Sequence, residues 1–261
     1  MKQMSARVTA GSELMPDVCL LWLHAPQIVA VARPGQFLMV RCGDGEDPLL
    51  RRPLSIHRTS DDGQVALLFR VGGRGTTMLS TSQVGDTVDV FGPLGNGFRL
   101  DPNAGRLLLI AGGIGVAPLV FLAERVVAEG REVHLVMGAQ SGPHLYPRSL
   151  LSPVVTVEEA TEDGSLGRMG LATDVAEARM DWADQAFACG PTSMYRAMAT
   201  MPAFRGRRVQ VPVEQMMGCG VGACYGCTVI TRQGPRQVCQ DGPVFELDEV
   251  LWDRFVSMDR G

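Results

Sequence analysis

The chain of 261 residues is 46% apolar and 20% charged, the balance of a core-forming globular protein with room for about two domains. A net charge of −4, a single lysine (Lys2) and no basic run argue against general nucleic-acid binding. The lack of a secretory leader, the lack of any apolar window near roughly eighteen residues, and an odd count of seven cysteines predict a cytoplasmic protein with reduced thiols.

Residues 1–100 read as β-structure. Apolar runs at Val18–Ala25, Gln36–Cys42, Pro53–Thr59, Gln64–Gly72 and Asp86–Gly92 are separated by Gly, Pro and Asp, the rhythm of a small antiparallel barrel. Gly35, Gly63, Gly85 and Gly92 fall where the chain must turn. Two connections carry chemistry. Arg51-Arg52-Pro53-Leu54-Ser55 opens one strand, and Arg52 has the planar fork that grips a pyrophosphate through paired hydrogen bonds. Gly72-Gly73-Arg74-Gly75-Thr76-Thr77-Met78 feeds a short helix, so its backbone N–H groups and the Thr76 and Thr77 hydroxyls can face phosphate. Taken alone, these stretches read equally well as ordinary turns with a surface arginine.

Residues 101–210 change rhythm. Strand runs at Arg106–Gly112, Glu132–Ala139, Val154–Ala160 and Asp184–Gly190 alternate with helical patterns at Leu119–Gly130, Leu171–Met180 and Thr192–Met201. This βαβ succession predicts a Rossmann-like, mostly parallel α/β domain. Two loops follow strands, where open parallel sheets bind nucleotides. One is Ala111–Pro118, with Gly113 and Gly115; the other is Cys189-Gly190-Pro191, with Thr192 or Ser193 expected to cap the next helix. Pro118 stands where the dinucleotide fingerprint has its third glycine, so the motif is incomplete. Cys189 alone also reads as a small buried apolar residue. Gly138–His144, after the second strand, has no arginine for a 2′-phosphate, which favours NAD over NADP.

Residues 211–261 hold four of the cysteines. Cys219, Cys224 and Cys227 are spaced C-x4-C-x2-C, and Cys239 follows, the ligand spacing of a plant-type [2Fe–2S] cluster. Such a cluster needs four thiolates on one point, three from a tight loop and one from outside it. Gly218, Gly220, Gly222 and Gly226 let the backbone wrap closely and aim N–H groups at the sulfurs. No charged residue occurs from Gln215 through Thr231, which predicts a site shielded from water. Structural zinc is the other reading, but it usually takes two C-x2-C pairs and only one is present. The tail after Phe245 is compatible with packing on the chain or with contact to a partner.

These motifs resemble the ferredoxin–NAD(P)+ reductase-like family. The resemblance implies that Arg52 binds the FAD pyrophosphate, that Ser55 faces flavin N5 with Pro53 and Leu54 beside it, and that Gly73, Gly75, Thr76 and Thr77 form a second phosphate turn. Leu54 replaces an aromatic residue of many members, so aliphatic surface would pack on the flavin. Gly92–Phe98 matches the connection that closes the barrel. Gly113, Gly115, Gly190 and Pro191 would line the NAD site, Cys189 would lie beside the nicotinamide, and Thr161–Ser165 resembles a segment near that cofactor. Ser55 and Cys189 are thus the residues placed at the reacting centres.

The order FAD barrel (1–100), NAD domain (101–210) and cluster domain (211–261), with GCGVGACYGC and a late QVCQDGPVF, resembles the electron-transfer subunit of heteromeric dihydroorotate dehydrogenase. That resemblance implies a partner subunit carrying FMN and a heterotetramer with two copies of each chain. Electrons from dihydroorotate would pass through FMN, the [2Fe–2S] cluster at Cys219, Cys224, Cys227 and Cys239, and FAD to NAD+ in pyrimidine biosynthesis. The alternatives are a related NAD(P)H-linked subunit serving a ferredoxin or hydrogenase partner, and a zinc-stabilised nucleotide-binding module without redox turnover.

Overall fold

The computed structural model describes residues 1–43, 45 and 47–256; Ser257–Gly261, the end of the tail considered above, lie outside the described residues. Strands β1 (Lys2–Met15), β2 (Val18–His24), β3 (Phe37–Val40), β4 (Arg52–Thr59), β5 (Gln64–Arg70) and β6 (Thr87–Leu94) close a barrel in the order β1-β2-β5-β4-β3-β6. Two short helices, α1 (Pro26–Val29) and α2 (Arg74–Ser80), lie in its connections.

The sequence patterning finds five of these six strands and misses β1. This strand buries only Ala6, Val8 and Met15 and is otherwise polar or small, so it shows no apolar run. It is nevertheless the closing element, pairing with β6 over Lys2–Arg7 and with β2 over Arg7–Met15. The barrel is not uniformly laddered. β4 pairs with β3 over Arg52–Ser55 but joins β5 only from Ile56 onward, so Arg52–Ser55 has a strand partner on one edge only.

The middle of the chain contributes β7 (Arg106–Gly112), α3 (Val116–Ala128), β8 (Glu132–Ala139), β9 (Thr156–Thr161), β10 (Arg168–Met169), α4 (Ala172–Glu177), β11 (Gln185–Cys189), α5 (Thr192–Thr200) and β12 (Val209–Pro212). A hairpin of β13 (Thr228–Thr231) and β14 (Gly234–Gln237) follows the cysteine loop, and then β15 (Val244–Glu246). The sheet order is β10-β9-β8-β7-β11-β12-β15, parallel except that β15 runs antiparallel on β12. Strand order therefore reverses between β7 and β11, and this switch point is where such sheets open a crevice for ligands. Helix α3 begins at Val116, three residues earlier than its apolar periodicity suggests, because Pro118 is tolerated in a first turn that needs no N–H from it. The position capping α5 is Pro191, and no side chain caps it, contrary to the expectation for Thr192 or Ser193.

The C-terminal segment is built into the frame. Cys227, Val229, Val238, Cys239 and Trp252 share one buried core with Val136 and Val211 of the sheet and Met39 and Leu94 of the barrel. Its tail packs on the chain as far as it is described, with Arg196 donating to the Trp252 carbonyl at 3.1 Å and to that of Phe255 at 2.7 Å. Among the described residues no helix is long and apolar enough to cross a membrane.

The linker from barrel to sheet is fixed by side-chain amides, of which those of Gln185 and Gln210 are buried. Gln210, 0% exposed, accepts from Arg99 N–H at 2.8 Å and donates to the Arg99 carbonyl at 2.9 Å. Gln185 donates to the same carbonyl at 2.8 Å and accepts from Asp101 N–H at 2.9 Å. On the other side, Asn96 donates to the carbonyls of Gln240 and Asp241 at 3.0 and 3.1 Å. The Gln210→Ala variant should leave linker groups unpaired in a buried setting and lower stability by about 1–3 kcal/mol. Urea unfolding checks this; an unchanged midpoint would contradict the clamp.

Candidate functional site

The half-laddered stretch of β4 brings the first set of expected residues together. Arg52, Pro53, Leu54 and Ser55 are half-buried along it, in register with Val40, Met39, Leu38 and Phe37 of β3. The α2 turn comes up against Arg52: a Cβ on Gly75 would sit 3.0 Å from its Nε and 3.2 Å from its Cζ. Gly72 and Gly73 have nothing within 4 Å of their Cβ positions, so a phosphate can come up to this turn beside the guanidinium. This cradle fits the pyrophosphate of FAD. The two threonine hydroxyls bond within the turn: Thr76 accepts from the Gly72 and Gly73 N–H groups at 3.1 and 3.2 Å, and Thr77 donates to the Gly73 carbonyl at 3.2 Å. Both hydroxyls shape the turn, and Thr77 remains exposed.

At the switch point the two loops expected to meet a dinucleotide touch through their backbones. A Cβ on Gly115 would fall 2.0 Å from the Cys189 carbonyl oxygen, and Gly112 lies against Gly190 and Pro191. No side chain is tolerated at Gly115 for this reason. Gly113 has nothing within 4 Å of its Cβ position, leaving its backbone open to a ligand. The glycine turn thus fits a dinucleotide, as expected for a ligand at the carboxyl ends of β7 and β11. Cys189 is buried, and burial first, then the Glu214 charge, pushes its thiol well above the ordinary range despite the opposing Tyr195 hydroxyl. It is a neutral thiol at physiological pH and contributes shape rather than nucleophilicity.

Sequence reasoning missed Tyr195. Its hydroxyl accepts from Gly190 N–H at 3.1 Å and donates to the Pro212 carbonyl at 2.8 Å, tying the Cys189-Gly190-Pro191 loop to β12. The only signal in the sequence is a buried-type aromatic in the first turn after that loop.

The cysteine loop completes the set. Cys227 and Cys239 are buried, Cys219 is partly buried and Cys224 is exposed. The thiols stand as two interacting pairs, Cys219 with Cys224 and Cys227 with Cys239, and among the described residues no three donors already close on one point. Backbone N–H groups are aimed at the sulfurs: Val221 donates to Cys219 at 3.4 Å, Gly222 to Cys239 at 3.2 Å and Cys239 to Cys227 at 3.5 Å. Burial raises the Cys219 thiol, but N–H groups of Val221, Cys224 and Ala223 with the Cys224 side chain outweigh it and bring the pKa to about 6. Burial and the neighbouring Cys227 thiol push Cys239 the other way, to about 12. Four thiols, three of them met by backbone N–H donors, fit the ligand set of a [2Fe–2S] cluster, which such donors stabilise. The expectation of a site largely shielded from water fits Cys227 and Cys239 but not the loop's outer edge: Cys224 is exposed and Tyr225 is 71% exposed, because an uncharged loop is not necessarily a covered one.

The loop sits on the barrel. Gly220 has φ +74°, and a Cβ there would lie 2.8 Å from Met39 Cγ and 3.2 Å from Leu94 Cδ1. Met39 is the β3 partner of Pro53, so the cysteine loop abuts the strand pair that carries the expected flavin residues.

With this geometry in hand, the comparisons with known proteins decide the family. The profile of the iron–sulfur cluster binding domain of dihydroorotate dehydrogenase B matches residues 214–251, and that of the oxidoreductase FAD-binding domain matches residues 5–98. The "Dihydroorotate dehydrogenase B (NAD(+)), electron transfer subunit" of Desulforamulus reducens is 41% identical over 260 residues, covering 97% of this chain and 99% of that one. The chain belongs to this family of electron-transfer subunits. The Bacillus caldolyticus member is 43% identical over 237 residues, covering 88% of this chain and 91% of its own. Among solved structures, one describing an NADH-dependent reduced ferredoxin–NADP oxidoreductase superposes with a TM-score of 0.86 at 30% identity, over 96% of this chain and 91% of that one. As a member of the family, the chain is an oxidoreductase subunit that uses FAD, an iron–sulfur cluster and NAD.

Two substitutions separate the sites. The Arg52→Ala variant should weaken FAD retention roughly ten- to a hundredfold, since it removes a charge-assisted contact to phosphate; flavin occupancy after dilution and gel filtration measures it. The Cys224→Ser variant should lose the visible absorption of the cluster while flavin content stays at wild-type level. Loss of both together would contradict separate sites.

Proposed function

We propose that this chain is the NAD+-facing subunit of a cytoplasmic dihydroorotate dehydrogenase, joined to an FMN-bearing catalytic subunit in a heterotetramer with two copies of each. The observation that carries this reading is the seat of Gly220 on Met39 and Leu94, which sets the cysteine loop against the strand pair of the flavin cleft. FAD, when bound, exchanges two electrons as hydride with a nicotinamide and single electrons with a cluster, so it belongs between those two groups.

The chain's own residues hold and orient. Arg52 and the Gly72–Gly75 turn would neutralise and cradle the pyrophosphate, with Thr76 and Thr77 shaping that turn, and Ser55 would offer a hydroxyl to the flavin. Leu54 offers an aliphatic surface for the ring. Gly113 and Gly115 let the backbone approach NAD, while Cys189, Gly190 and Pro191 wall the nicotinamide side. Cys219, Cys224, Cys227 and Cys239 would hold the [2Fe–2S] cluster, and the exposed Cys224 leaves that edge open to a partner. Cys19, Cys42 and Cys189, outside the cluster loop, are free thiols in keeping with a reducing compartment, and the relatives' shared name supports the dihydroorotate assignment.

Co-expression with the catalytic subunit, followed by anaerobic assay, tests the reading. The purified complex should contain FMN as well as FAD and should reduce NAD+ when dihydroorotate is added. If reduced ferredoxin drives NAD+ reduction and dihydroorotate does not, the assignment fails.

A further inference from the structure

His57 lies on β4 two residues beyond Ser55 and is 0% exposed. Its Nδ1 is 2.8 Å from the Ala117 carbonyl oxygen, and its Nε2 is 3.1 Å from the Tyr146 hydroxyl. A carbonyl oxygen can only accept, so Nδ1 carries the ring proton, and the neutral ring accepts at Nε2 from Tyr146. Burial outweighs the Ala117 carbonyl and, with the Arg58 charge, lowers the ring pKa to about 4, which keeps it neutral at physiological pH.

The partners give this residue its meaning. Ala117 is in the first turn of α3, two residues beyond Gly115, and Tyr146 belongs to the connection after β8. The neighbouring Arg58 bridges to Glu124 of α3 at 2.8 Å and donates to the Leu150 carbonyl. Phe121 of the same helix packs into the barrel core. One buried ring therefore joins the strand that bears Arg52 and Ser55 to the helix start that bears Gly113 and Gly115.

Resting on the FAD and NAD sites proposed above, we infer that His57 is a positioning residue for hydride transfer, its Nδ1–H on the Ala117 carbonyl setting the dinucleotide turn against the flavin strand. Hydride exchange between nicotinamide and flavin, towards NAD+ in the proposed function and from NADH in the assay below, would oxidise one group as it reduces the other and would need close, aligned approach. A misplacement of about 1 Å at such a centre costs on the order of a hundredfold in rate. The ring touches neither reactant; it acts through the two backbone segments it ties together.

The full chain, loaded with FAD and cluster, is mixed anaerobically with NADH, and the limiting rate of flavin bleaching is read by stopped flow. His57→Asn places an amide nitrogen where Nδ1 stood and can donate to Ala117; His57→Gln carries its amide to the Nε2 position, towards Tyr146. Asn should keep the limiting rate within roughly threefold of wild type, and Gln should lower it roughly tenfold or more at unchanged FAD content. A purely structural role would move the melting temperature of both and the limiting rate of neither. Equal wild-type rates in both variants, or an Asn variant as slow as Gln, would overturn the inference. If Gln fails to hold FAD, His57→Ala measured in excess FAD takes its place, a limiting rate within roughly threefold of wild type refuting the role. A wild-type chain that NADH cannot reduce would instead sink the FAD–NAD reading itself.

Discussion

Two buried glutamine amides grip the backbone of Arg99 and Asp101, and the relative placement of the three sites follows from that grip. Gln185 and Gln210 project from β11 and β12, so the linker leaving the barrel is docked on the sheet rather than strung across solvent. Asn96, a few residues earlier, is bonded to the chain just after Cys239. Barrel, sheet and cysteine segment are thereby referenced to one short stretch of main chain. Unpaired, these buried amides would each cost more than their bonds contribute, which makes the clamp all-or-none. A protein that passes electrons between centres needs such a frame, because transfer depends on separation and orientation that loose tethers do not keep.

The sites themselves are made mostly of backbone. Gly115 and Cys189 meet main chain to main chain, Gly220 meets Met39, and three of the thiols are met by backbone N–H groups. Charge is used sparingly, with Arg52 as the one cation on the flavin strand's Arg52–Ser55 stretch. Backbone dipoles fixed by packing can stabilise an anion or a thiolate without reorganising, and they do not compete with one another as flexible cations would. Cys219, lowered by backbone N–H groups, and Cys239, raised by burial, are shifted in opposite directions by their surroundings.

Much of this was legible in the chain. The barrel, the alternating α/β rhythm and the cysteine spacing follow from local rules: period-two apolar runs, βαβ succession and a ligand spacing that few other sites share. What escaped notice lacked a local signature. β1 has too few apolar residues to register as a strand, yet it closes the barrel. β15 is three residues long and completes the sheet of another part of the chain. His57, Tyr195, Gln185 and Gln210 are ordinary residues in sequence, and their roles exist only in the partners that folding supplies.

The amino-acid sequence by itself determined the kinds of site present and their order along the chain, because cysteine spacing, glycine turns and strand periodicity are short-range properties of the backbone. Tertiary structure alone decided which of these sites touch. Gly220 on Met39, Gly115 on Cys189 and His57 on Ala117 join residues far apart in sequence. Their meeting depends on strand order and on the docking of the linker, and those are settled by how whole layers bury their apolar faces against each other. Exposure of the cysteine loop is of the same kind: an uncharged run says nothing of what lies over it, and only the folded chain shows Cys224 at the surface and Cys239 beneath it.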